Sequence, residues 1–239
     1  MKNFFYLLTF ILISCSNDSS ISEIASVYNP DTNNFVQNDT LVAKDYLALG
    51  DSYTIGEGVD EEDRWPVQLI EQLALQNYTV NDPVIIAETG WTTANLKRAI
   101  NAKNITGTFD IVTLQIGVNN QFQGRSVLEF QNQFRELLIK AIALANNRPE
   151  NVIVVSIPDW GASPFANGVE RSKISMEIDA FNRVKKQETL MRNAKFVDIT
   201  TLSRLALNNS KFIASDNLHF SEEMYTLWVE EIIREYFRN

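Results

Sequence analysis

The chain has one histidine and one cysteine among its 239 residues. A lone Cys leaves no internal disulfide. One His and one Cys are also too few for a structural or catalytic zinc site built from the usual ligands, so no metal is expected. There is no run of Lys or Arg, and the net charge is −9. Such a surface repels phosphate backbones, so nucleic acid is not an expected partner. The N-terminal apolar stretch, Phe4 to Ile13, is interrupted by Thr9 and is too short to span a bilayer as a helix. What is present fits a folded enzyme-sized chain. The apolar fraction is 45%, there are four Trp, and the length suits one α/β domain with a full core.

The scarcity of histidine also bears on chemistry. A serine nucleophile needs a base to take its proton, and the base needs a carboxylate to hold its tautomer. Gly50-Asp51-Ser52 closes an apolar run, and His219 lies in Asp216-Asn217-Leu218-His219 near the C-terminus. If Ser52 attacks a carbonyl, His219 is the base, because the chain has no other imidazole. Asp216, three residues earlier, can fold back on the ring in one tight turn. Asp198 ends a strand-like run and is the alternative carboxylate, but local spacing favours Asp216. Asp51, next to Ser52 on a strand end, points the other way and reads as structural.

Lys2 precedes the short apolar stretch, and Leu12-Ile13-Ser14-Cys15 follows it. This resembles a bacterial lipobox. The resemblance implies a signal peptide over 1–14, lipidation at Cys15 and a membrane partner through that anchor. The alternative is a plain secretory signal that happens to contain Cys. Residues 16 to about 43 are rich in Ser, Asn, Asp and Thr and read as a flexible tether spanning about 29 Å. Ser16-Asn17-Asp18 is similar to the acidic export signals of surface lipoproteins in the Bacteroidota. The expected location is therefore the cell envelope, on the periplasmic or the outer surface, or otherwise secretion.

From Asp45 onward, strand-like runs alternate with helical patterns. Strands are expected at Tyr46 to Leu49, Val84 to Ala87, Ile111 to Ile116, Val152 to Ile157 and Phe196 to Ile199. Helices are expected from Trp65 to Gln76, with Val67, Ile70, Leu73 and Ala74 on one face, and from Thr92 to Ile100. Ser126-Val127-Leu128-Glu129 reads as a capping box before a stripe of Phe130, Phe134, Leu137, Leu138, Ala141 and Ile142. Further helices are expected near Ser172 to Arg192 and from Ser221 to Phe237. This alternation predicts a five-stranded parallel sheet with helices on both faces, a flavodoxin-like three-layer α/β/α sandwich over residues 44–239. In such sheets functional groups gather at the carboxyl ends of strands. Ser52, Gly90, Asn119 and Asp159 each follow a predicted strand.

Gly50-Asp51-Ser52-Tyr53-Thr54 is not the Gly-x-Ser-x-Gly elbow of α/β-hydrolases, since Thr54 stands in the last position. With the terminal Asp-x-x-His it resembles the SGNH (GDSL) hydrolase superfamily, from about Lys44 to the C-terminus. Gly90, in Glu88-Thr89-Gly90-Trp91, matches the family's second block. Gly117-Val118-Asn119-Asn120 matches the third, Gly-x-Asn-Asp, with Asn120 in place of Asp. Phe220 replaces the Pro that follows the family's His. The resemblance implies a serine esterase without organic cofactor, with Ser52, His219 and Asp216 as triad. It also implies an oxyanion hole from the Ser52 and Gly90 N–H groups and the Asn119 amide. Gly90 as a turn residue and Asn120 as the working amide are the alternatives. Trp91, Asp159 and Trp160 are expected at the pocket rim, where indoles stack on sugars, or else packed under loops. The substrate implied is a short-acyl ester such as acetyl groups on polysaccharide. Lysophospholipid or thioester hydrolysis and acyl transfer are alternatives within the family. A glycan-binding lipoprotein without turnover is the rival from another class.

Overall fold

The computed structural model describes residues 42–237; Cys15 and the tether lie outside them. Five strands form one parallel sheet: β1 (Tyr46–Gly50), β2 (Val84–Ala87), β3 (Ile111–Gln115), β4 (Val152–Val155) and β5 (Lys195–Val197), in the order β2-β1-β3-β4-β5. The central strands β1, β3 and β4 are wholly buried and mostly apolar, as parallel strands covered by helices on both faces are. The chain leaves β1 for β2 on one side and then crosses to β3 on the other. That reversal is where doubly wound sheets place their sites. The register makes the crevice level: Gly50 lies beside Ala87 on β2 and beside Gln115 on β3. The three loops that leave these strands therefore start side by side.

Two helical layers cover the sheet. In one, α2 (Trp65–Ala74) packs on α8 (Glu222–Tyr236). In the other, α5 (Val127–Leu144) packs on α3 (Thr93–Ala102) and α6 (Arg171–Leu190). Two of these helices, α3 and α5, start at a side-chain cap. Thr92 and Asn95 satisfy each other's backbone N–H groups reciprocally at the start of α3. Ser126 Oγ accepts from Glu129 N at 3.1 Å, but the Glu129 side chain bonds Gln133 instead of reaching back, so the expected capping box is only half made.

The buried face of α2 differs from expectation. Trp65, Leu69 and Leu73 are fully buried, whereas Val67 and Ile70 are half-buried and Ala74 is exposed. Trp65 decides this rotation: its indole is fully buried and donates to Gln115 Oε1 at 3.0 Å, which fixes the helix about that end. Three short helices were not foreseen: α1 (Ser52–Ile55), α4 (Val118–Phe122) and α7 (Thr200–Ser203). Each is too short to show a helical period.

Candidate active site

Ser52 is the first residue of α1. Asp51 caps that helix, its Oδ1 accepting from Tyr53 N at 3.2 Å. Gly50 permits the turn, because a Cβ there would lie 2.5 Å from Thr54 Cβ and 2.7 Å from the Gln115 carbonyl oxygen. Ser52 is thus delivered at a helix start, where backbone N–H groups have no intrahelical partner. Its residue is 4% exposed.

His219 and Asp216 come from one closed loop. Ala214 N donates to the His219 carbonyl at 2.9 Å, and Ser221 N donates to the Phe212 carbonyl at 3.1 Å. Asn217 takes φ +65° to complete the turn, a conformation that Asn tolerates better than most residues. Within it, Asp216 Oδ1 accepts from the N–H groups of Leu218 and His219, both at 2.9 Å. The other oxygen, Oδ2, lies 2.5 Å from His219 Nδ1. Burial pushes the Asp216 carboxyl up, but the bonds from the imidazole and the two N–H groups outweigh it and leave the pKa below its ordinary value. An ionised carboxylate on Nδ1 leaves Nε2 as the nitrogen free to take a proton.

The Tyr53 ring meets the imidazole edge-on, 5.5 Å between centroids. Behind it stands Phe220, completely buried, 5.7 Å from Tyr53 and 5.4 Å from Trp228. Phe220 in place of Pro therefore fills the core directly behind the catalytic-type loop.

Gly90 takes φ +84°, a backbone that disfavours any side chain. Asn119 lies in α4, and its Nδ2 donates to the Trp91 carbonyl at 3.0 Å. One amide hydrogen is used there and the second remains. Asn120 faces away from this: it is buried, accepting from Thr93 N at 3.0 Å and donating to Thr93 Oγ1 at 2.8 Å. Asn120 thus ties the third loop to the start of α3 through both ends of its amide.

A cavity of about 80 Å³ joins these elements. Ser52, Asn119 and His219 line it, with Tyr53, Val118, Phe122, Trp160 and Leu218 as apolar walls. Ser52 and His219 are not directly hydrogen-bonded; they open onto the same space, as catalytic pairs often do before substrate tightens them. Four larger clefts lie elsewhere on the surface and hold none of these groups.

Of the three residues expected at the rim, only Trp160 lines the cavity, and it does so as a fixed wall, its Nε1 donating to Gln121 Oε1 at 2.8 Å. Trp91 is half-buried against the core and does not line it. Asp159 is a correction. It is buried below the surface and accepts from Gly161 N, Ser175 Oγ and Arg204 Nε, so it braces the Trp160 turn instead of meeting a ligand. Asp198 accepts from Thr200 N at 3.0 Å and from Ser156 Oγ, and is not bonded to His219. Leu218, Phe122 and Val118 went unnoticed in the sequence, because apolar loop residues carry no periodic signal.

The fold and the cavity together define a class: a flavodoxin-like α/β protein with a serine, a carboxylate-held histidine and an asparagine amide around a small apolar pocket. Residues 48–227 match the model of the GDSL-like lipase/acylhydrolase family, and the chain belongs to that family. It is a hydrolase of the SGNH/GDSL kind. Solved structures with the same fold include TesA (19% identity, 80% of this chain and 97% of that one, TM-score 0.63). They also include the psychrotrophic esterase EstA from Pseudoalteromonas sp., described as inhibited by monoethylphosphonate (18%, 80% and 96%, 0.61). A third is Axe2, an acetylxylan esterase from Geobacillus stearothermophilus (18%, 82% and 95%, 0.62). No curated protein matches the sequence.

Proposed function

We propose that the protein hydrolyses carboxylic esters of short acyl groups through an acyl-enzyme on Ser52. The supporting observation is the convergence of Ser52, His219 and Asn119 on one apolar cavity of about 80 Å³. Ser52 Oγ attacks the ester carbonyl while His219 Nε2 takes its proton. His219, held through Nδ1 by Asp216, then returns that proton to the departing alcohol. Water repeats the sequence on the acyl-enzyme and releases the acid. The oxyanion is met by the N–H groups of Ser52 and Gly90 and by the second Nδ2 hydrogen of Asn119. No metal or organic cofactor takes part in these steps.

Cavity size argues for acyl length. A cavity of roughly 150 Å³ holds a benzene; this one is about half that, with Trp160 as one wall. An acetyl group fits where a long chain does not. Acetylated polysaccharide, of the kind named for Axe2, is the favoured substrate class. Lipidation at Cys15 would carry the enzyme to the envelope surface, where such glycans lie; Cys15→Ser should then release it from the membrane fraction.

The test is a panel of p-nitrophenyl esters of increasing chain length together with acetylated xylo-oligosaccharides. The acetyl ester should be cleaved best, with kcat/KM falling beyond four carbons. Trp160→Ala should move the optimum to longer chains. A wild-type optimum at eight carbons or more would overturn the short-acyl assignment. Sugar acetate formed from added sugar acceptor, in place of free acetate, would make the enzyme a transferase.

A further inference from the structure

The buried face of α6 carries Ile174, Ile178 and Phe181 and then, four residues on, Lys185. Lys185 is completely buried. Its amine donates to the carbonyls of Ile116 at 3.0 Å and Val155 at 2.7 Å, and lies 5.6 Å from the Phe134 ring centroid. These two carbonyls have a particular place in the sheet. The β3–β4 ladder ends at Leu114 beside Val154, and Val155 closes β4. Ile116 is two residues beyond that last pair, where the chain leaves β3 for the Asn119 loop. The amine joins both departing strand ends where the ladder has stopped. Directly after Ile116, Gly117 turns at φ +130°, and a Cβ there would come within 2.7 Å of Ile157 and Phe130. The path from Ile116 to Asn119 is therefore tight as well as anchored.

We propose that Lys185 is a positioning residue that, through the Ile116 and Val155 carbonyls, sets where β3 delivers the Asn119 amide to the cavity. The inference rests on the reading of Asn119 as an oxyanion donor. A buried amine is an expensive way to satisfy two carbonyls, since ordering and desolvating a lysine costs more than an apolar residue would. Precise placement of a donor is a reason to retain it. Burial pushes the Lys185 amine down to about 7, against the charge of Asp51 at the end of β1. The contact works in either form, since a neutral amine still has two hydrogens to give. Burial also pushes the Asp51 carboxyl up to about 7.

The experiment is a double-mutant cycle on the full chain, with Lys185→Met, Asn119→Ala and the pair, read as kcat and KM for p-nitrophenyl acetate. Lys185→Met should lower kcat roughly 10- to 100-fold, as misplacement of a reacting group does, with KM changed less than about twofold. Combined with Asn119→Ala it should cost little more than Asn119→Ala alone, because both remove the same donor. Lys185→Arg, whose longer arm must push the two carbonyls out of place, should also lower kcat, and goes through the same cycle in case Met does not fold. A folded variant with unchanged kcat, or a loss that multiplies in full with that of Asn119→Ala, would overturn the proposal. If Asn119→Ala itself left kcat intact, the oxyanion reading would fail first, and the cycle identifies which of the two has failed.

Discussion

At the scale of single residues, the site is a division of labour between groups that react and groups that hold them. Asp216 uses one oxygen on the imidazole and the other on two backbone N–H groups, so its position does not depend on the ring alone. Removing Ser52 or His219 as Ala should lower kcat by about 10⁴ to 10⁶. Asp216→Asn, which keeps the shape but not the charge, should cost about 10³ to 10⁴. Steady-state hydrolysis of p-nitrophenyl acetate reads each. Asn119→Ala should lower kcat about 10² to 10³, or roughly 2.7–4 kcal/mol of transition-state stabilisation. Asn120 is a different case. Both ends of its amide bond Thr93, so Asn120→Asp replaces the donor to Thr93 Oγ1 with an acceptor and should disturb α3 more than chemistry. Ser52, His219 and Asn119, which line one cavity, were all singled out from the sequence, His219 most simply because one His leaves one candidate base. Trp91 and Asp159 were harder to place. An indole or a carboxylate after a strand reads the same whether it faces a pocket or a bracing arginine.

At the scale of elements, the site depends on strand ends being level and on loops being filled from behind. The long strands and helices were legible because their periods run over many residues, and their ends fall within a few residues of expectation. The rotation of α2 was not legible: Val67 and Ile70 look as apolar as Leu69, and only the bond from Trp65 to Gln115 decides which of them turns inward. Lys185 did carry a readable sign, a lysine in step with the apolar stripe of a helix. Phe220 makes the dependence on filling testable. Its ring backs Tyr53, which in turn meets His219. Phe220→Ala should cost about 3–5 kcal/mol of stability, as large-to-small changes in a packed core do. Denaturant unfolding measures that, and kcat should fall at temperatures where the variant is still folded, because the imidazole loses its edge support. A variant of unchanged stability would contradict the packing described.

At the scale of the whole molecule, two features set the conditions under which the enzyme holds together. One is the sheet order, which was legible only as strand–helix alternation; the crevice beside β1 follows from crossover geometry that no local pattern encodes. The other is a polar clamp between α5 and α6. Glu188 is nearly fully buried and accepts from Gln131, Arg135 and Arg192. The bonds from Arg135 act first, against burial, and with Gln131 and Arg192 hold its carboxyl down at about 2. A carboxyl depressed in the fold stabilises above its ordinary pKa of 4.5, and that contribution is lost as pH falls from there toward 2. Glu188→Gln should therefore unfold more easily near neutral pH and lose less further stability between pH 4.5 and 2, as denaturant midpoints across that range would record. The account as a whole turns on Ser52 being activated by the one imidazole of the chain. The direct measurement is labelling by a fluorophosphonate, followed by intact mass and peptide mapping. Wild type should gain one adduct, on Ser52, and His219→Ala should label far more slowly; no adduct, or an adduct elsewhere that His219→Ala leaves unaffected, would contradict it.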